Sequence, residues 1–139
     1  FFPLALACKL IDGKIFSIDL EPPTKKISEL INHFKLQNNC ELISIGDTDP
    51  LLLKRFREDN LIFDVIFLDT NHEYEHTKLE LKTYKEFLNT GWFLIMHDCP
   101  SSGYGTDKAL KEFLETNFEY IVVSRREYCC GLTILKRTV

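Results

Sequence analysis

Two short stretches carry most of the residues that could do chemistry. Residues 65–77 read VIFLDTNHEYEHT, and residues 92–98 read WFLIMHD. In each, an apolar run breaks into ionisable groups: Asp69, His72 and Tyr74 in the first, His97 and Asp98 in the second. A carboxylate with an imidazole three residues on can move a proton near neutral pH. Two further apolar stretches end the same way, KIFSID at Asp19 and ELISIG at Gly46-Asp47. A carboxylate buried without a partner costs stability. Four acids closing four successive strands therefore predict a shared rim that takes hydroxyls, amines or a cation.

Each acid also has an ordinary use. Asp19 and Asp98 suit turns, Asp47 suits a turn before the Asp49 cap, and Asp69 suits a helix cap. His33 and His76 read as structural or surface histidines. Glu73, Glu75 and Glu80 read as a solvated helix face, early acids being favoured by the helix dipole.

The elements that must position these groups follow from the pattern. Six segments predict strands: 14–19, 41–46, 64–69, 92–98, 120–124 and 132–136. Most are continuous apolar runs, as in strands covered on both faces. Helical spacing lies between them. Residues 1–10 read as a helix already under way. Ile27, Leu30, Ile31 and Phe34 make one stripe. Asp49-Pro50 opens another helix with Leu53 and Phe56. Leu81, Tyr84 and Leu88 make a third stripe, ended by a turn at Asn89-Thr90-Gly91, and Leu110, Phe113 and Leu114 make a fourth. Strand–helix alternation predicts an α/β fold, a doubly wound and mostly parallel sheet. About seven residues separate the last two strands, too few for a parallel crossover. They must form an antiparallel hairpin or lie apart.

The chain has 139 residues, 45% hydrophobic and 27% charged, which predicts one globular domain over residues 1–139. A net charge of -4 argues against nucleic acid as the main partner. No apolar run approaches the roughly 18 residues that span a membrane. Five cysteines, an odd number without zinc-site spacing, read as reduced thiols in a cytoplasmic setting. Phe1, Phe2 and Trp92 offer apolar surface for a homo-oligomer.

The segments GKIFSIDLEP and FDVIFLDTNHEYEHTKLELKTYKEFLNTGWFLIMHD resemble the class I S-adenosylmethionine-dependent methyltransferases. The closer resemblance is to the small-molecule O-methyltransferase and cephalosporin-hydroxylase-like branch. It rests on Asp69, His72 and Tyr74, then a helix, then Gly91 and the strand ending in His97-Asp98. Thr90 stands where that branch usually has a first glycine.

The resemblance implies a Rossmann-like methyltransferase fold whose last strand is antiparallel. It implies that the glycine-rich loop and first strand precede Phe1. It implies that Asp19, with Leu20 beside it, binds the ribose hydroxyls of S-adenosylmethionine, and that Gly46 and Asp47 line the adenine. It places Asp69, His97 and Asp98 at a metal site, for Mg2+ or another divalent cation, Asp69 also touching the cofactor. His97 departs from the oxygen ligands magnesium prefers, and manganese or iron accepts an imidazole more readily. His72 takes the place of the general base, and Tyr104, in SSGYGT, lies over the site. The reaction implied is methyl transfer to a hydroxyl of a small molecule: a sugar, phenol or polyketide. Two other classes fit the residues: a nucleotide-dependent oxidoreductase, and a non-catalytic methyltransferase-like binding domain.

Overall fold

The computed structural model describes residues 1–100 and 103–139. They fall into two compact units, residues 1–55 and residues 56–139.

The first unit holds α1 (Phe2–Leu10), β1 (Ile15–Asp19), α2 (Lys25–His33), β2 (Cys40–Ser44) and the start of α3 (Pro50–Glu58). The helix starts are written in the sequence. A proline in the first turn of α1 gives up an N–H that has no intrahelical partner there. Thr24 caps α2, its Oγ1 accepting from the Ile27 N–H at 3.4 Å. Asp49 caps α3, its Oδ1 accepting from the Leu51 N–H at 2.8 Å, as the Asp-Pro pair predicts. β1 and β2 pair in parallel, from Ile15 opposite Cys40 to Asp19 opposite Ser44. Both strands thus finish at one edge. Glu41 on β2 is tied to Lys14 at 2.8 Å and to Arg55 at 2.5 Å. The hydrogen bond from Arg55, then that from Lys14, holds its carboxyl below the usual range.

The second unit holds β3 (Phe63–Leu68), α4 (Tyr74–Tyr84), β4 (Leu88–His97), α5 (Thr106–Thr116), β5 (Tyr120–Arg126) and β6 (Leu132–Arg137). Its sheet runs β3-β4-β6-β5. β3 and β4 are parallel. β6 inserts between β4 and β5, antiparallel to both. The short link before β6 is the hairpin the spacing predicts. Leu81, Leu88, Leu94, Met96, Leu110 and Leu135 are fully buried and form the core. Gly131, at the end of that hairpin turn, has φ +90°, and a Cβ there would run into the Pro100 carbonyl. Only glycine lets the turn lie against residues 99–100.

The expected α/β fold with a terminal hairpin is the one observed, with two local departures. α4 ends at Tyr84, and Leu88 is the first residue of β4, opposite Phe63. The expected turn at Asn89-Thr90-Gly91 is an irregularity inside that strand, where the register steps from Phe63–Leu88 to Val65–Phe93. Gly91 supplies φ +86° there. Leu88 falls at helical spacing from Leu81 and Tyr84, and apolar spacing alone does not separate a short strand from a helix end. The second departure is Glu80, which is 1% exposed rather than solvated, and accepts from Thr70 Oγ1 at 2.7 Å. Among the described residues, no helix is long and apolar enough to cross a membrane.

Candidate functional site

The structure gathers the predicted residues into two groups, one in each unit. In the first, Asp19 ends β1 and is exposed. Its Oδ1 accepts from the Glu21 N–H at 3.0 Å, so it does serve a turn, the ordinary use of an Asp there. That bond occupies one carboxylate oxygen. The Asp19 carbonyl accepts from Ile45 N–H at 3.0 Å, which draws the end of β2 alongside. Gly46 follows, and a Cβ there would stand 3.8 Å from the Leu20 side chain. The Gly46 carbonyl accepts from Asp49 N–H at 3.0 Å, folding Asp47 into a tight turn. Asp19, Leu20, Gly46 and Asp47 therefore occupy one sheet edge.

In the second unit, parallel β3 and β4 finish side by side, with Leu68 opposite Met96. Asp69 follows β3, and Asp98 follows His97, the last residue of β4. Four groups meet there. His72 Nε2 lies 2.9 Å from Asp98 Oδ2 and 3.6 Å from Asp69 Oδ1. His97 Nδ1 lies 3.0 Å from Asp69 Oδ1 and 3.2 Å from Asp98 Oδ2. Asp69 is exposed, the two histidines half-buried, and Asp98 only 5% exposed. Asp69 leaves the start of α4 to Glu73, which makes no side-chain cap.

Local bonds hold this arrangement. Asn71 Oδ1 accepts from Glu73 N–H at 2.9 Å, closing the turn that carries His72. The His72 carbonyl accepts from Gly105 N–H at 2.9 Å. A Cβ on Gly105 would strike the Tyr74 backbone, so the loop before α5 presses directly on this turn. Asp98 sits at φ +52°, a conformation that favours glycine or Asn and Asp. Two buried threonines pin it: Thr106 Oγ1 donates to the Asp98 carbonyl at 2.6 Å, and Thr133 Oγ1 to the Cys99 carbonyl at 2.5 Å. Thr133→Val should leave the buried Cys99 carbonyl unsatisfied and cost about 1–3 kcal/mol. A fall in the denaturation midpoint checks this.

Tyr104 reaches the cluster, its ring 4.8 Å from that of His72. Residues 101 and 102 of the same loop lie outside the described residues. Tyr74 has a different job. Its hydroxyl donates to Glu112 Oε2 at 2.6 Å, with Lys78 Nζ 3.0 Å from both, joining α4 to α5. That hydroxyl, then Lys78, lowers the Glu112 carboxyl. Cys130 is a neighbour the sequence did not signal. The negative charge of Asp98, ahead of burial, pushes its thiol up. Its proximity depends on where the hairpin turn lands, which residue spacing does not encode. All five cysteines are free thiols.

The donor set suits a cation. Asp69, His72, His97 and Asp98 each offer one ligand atom, all within 4.8 Å of one another. His72 Nε2, His97 Nδ1 and Asp98 Oδ1 are buried without a hydrogen-bond partner. Buried polar atoms are nearly always satisfied, and an ion is one standard explanation when they are not.

The comparisons agree on a family. A model described as a methyltransferase domain matches residues 1–99. Among curated proteins, none matches. Several solved structures share the fold. A Clostridium thermocellum protein assigned as an rRNA methylase is 16% identical with a TM-score of 0.64, over 90% of this chain and 75% of that one. CalS11, a TDP-rhamnose 3'-O-methyltransferase of calicheamicin biosynthesis, is 14% identical with a TM-score of 0.66, over 88% and 57%. The MycE methyltransferase of mycinamycin biosynthesis, solved with Mg, SAH and mycinamycin VI, is 14% identical with a TM-score of 0.61, over 91% and 36%. The chain therefore spans three quarters of the first of these proteins and little over a third of the last. With the family model covering well over half of its length and an S-adenosylmethionine-dependent methyltransferase fold, the chain belongs to the methyltransferase-domain family.

Proposed function

We propose that the protein transfers a methyl group from S-adenosylmethionine to a hydroxyl of a small molecule. The observation that carries this reading is the Asp69–His72–His97–Asp98 cluster at the ends of two parallel strands, the edge where ligands of α/β sheets bind. The family supplies the donor. Its positively charged sulfur makes the methyl group open to displacement by an oxygen nucleophile.

The first unit's group suits the donor. Asp19 keeps one carboxylate oxygen outside its turn bond, and a carboxylate accepts strongly from ribose hydroxyls. Gly46 and Leu20 give a small apolar edge suited to a flat base. Asp47 would accept from an exocyclic amine. By the family resemblance, Asp69 would serve both donor and metal.

The second group suits the acceptor. In the transfer, the acceptor oxygen gains a bond to the methyl carbon, the sulfur–carbon bond breaks, and the hydroxyl proton must leave. While no cation engages its Nε2, His72 would take that proton. Asp69, His97 and Asp98 would hold a divalent cation, which lowers the pKa of a hydroxyl beside it. Tyr104, next to His72, would cover the acceptor. Good alignment of oxygen and methyl can supply about 7–11 kcal/mol of the barrier.

The acceptor is best sought among hydroxylated glycosides. CalS11 is a TDP-rhamnose 3'-O-methyltransferase, and MycE, of the mycinamycin pathway, is solved with mycinamycin VI. The test is a transfer assay with methyl-labelled donor against sugar nucleotides, catechols and macrolides. Label on an acceptor oxygen, with an equal yield of S-adenosylhomocysteine, is expected. Tight donor binding with no transfer to any of them would favour a non-catalytic binding domain.

A further inference from the structure

We propose that His72 closes a four-cornered metal centre with Asp69, His97 and Asp98, and that this centre selects a borderline transition cation over magnesium. The inference rests on the cation site proposed above, but not on the methyl donor.

Three observations carry it. The first is spacing. Ligand atoms held about 2.1 Å from one ion stand roughly 3.0–3.4 Å apart at tetrahedral or octahedral corners. The four recorded imidazole–carboxylate separations run from 2.9 to 3.6 Å. The second is frustration. A proton on one ring nitrogen can point at only one oxygen. Here each nitrogen faces two carboxylates, and neither satisfies a hydrogen bond. A cation serves all four atoms at once. Asp98, 5% exposed, turns Oδ2 to both imidazoles and leaves its buried Oδ1 without a hydrogen-bond partner. The third is donor chemistry. Two of the four atoms are imidazole nitrogens. These suit zinc, iron, cobalt or nickel, whereas magnesium prefers an all-oxygen shell with several waters.

A consequence follows for His72. With Nε2 committed to a cation it takes up no proton, so its ligand and base roles exclude one another. With His72 closing the centre, the four residues would hold a cation whose contribution is to lower the pKa of a neighbouring hydroxyl, and the released proton would pass to solvent water.

The test is titration of the metal-free protein with Co2+, followed by its visible absorption, then competition with Mg2+. One Co2+ should bind, and Mg2+ should fail to displace it at comparable concentration. His72→Gln and His97→Gln should each weaken Co2+ at least roughly tenfold, one ligand's share of affinity. Asp19→Ala should leave Co2+ affinity unchanged while it weakens the donor, which separates this result from any failure of donor binding. In case a histidine variant misfolds, proton NMR of the wild-type Co2+ complex gives a second readout: paramagnetically shifted signals from two imidazoles. No Co2+ binding, wild-type affinity in a folded His72→Gln protein, or shifted signals from His97 alone would overturn the proposal.

Discussion

Asp19→Ala is expected to weaken binding of S-adenosylmethionine by roughly 30- to 150-fold, about 2–3 kcal/mol. The reasoning starts from what the side chain can do at its position. Asp19 ends β1, and one oxygen is spent on the Glu21 N–H. A hydrogen bond to a charged group contributes about 1.5–3 kcal/mol net. Two ribose hydroxyls would set the upper end, and solvent exposure keeps the total well short of a buried pair. Asp19→Asn separates charge from turn. It retains a side-chain oxygen for the Glu21 N–H but loses the negative charge, so its loss should fall between wild type and alanine. Because Asp19 is exposed, neither change should shift unfolding by more than about 0.5–1 kcal/mol. Calorimetry and thermal melting of the same samples read both quantities.

Asp98→Asn should have the larger effect on turnover, a fall of about 10²–10³ with donor affinity nearly unchanged. Asp98 is the most buried member of its cluster, and its Oδ2 lies 2.9 and 3.2 Å from the two imidazoles, against 3.6 and 3.0 Å for the exposed Asp69 Oδ1. Asparagine keeps the shape and removes the charge. A cation would lose its most enclosed ligand. Without a cation, His72 would lose the carboxylate that steadies its charged form once it takes a proton. The two roles predict the same loss of rate, but only the first predicts loss of Co2+ binding. The backbone bonds to Thr106 and Thr133 involve carbonyls at 98 and 99 rather than the carboxylate, so the fold should survive. A steady-state rate measured beside a donor titration checks the split.

Much of this was legible in the sequence. Six short segments, most of them continuous apolar runs, marked the six strands, and the short link before Leu132 excluded a parallel crossover, leaving the hairpin that is observed or strands lying apart. The Asp49-Pro50 pair marked the start of α3. The cluster was legible because each of its members sits at or just past a strand end. Parallel pairing then forces such residues to one edge. Other features depend on packing that spacing does not encode. Glu80 has the sequence position of a solvated helix face, yet it is buried and bonded to Thr70 from the turn below. Leu88 fits a helical stripe, yet pairs with Phe63. Tyr74 sits in the motif, yet its hydroxyl joins two helices. Cys130 comes beside Asp98 because Gly131 lets the hairpin turn settle on residues 99–100.

The most direct measurement is an equilibrium titration of S-adenosylmethionine into the full-length wild-type protein, with chelator present, beside Asp19→Ala and Asp98→Asn. Saturable one-to-one binding by wild type and Asp98→Asn, with severe weakening in Asp19→Ala, is the predicted result. A wild-type protein that takes up no donor, or an Asp19→Ala protein that binds it equally well, would contradict the assignment.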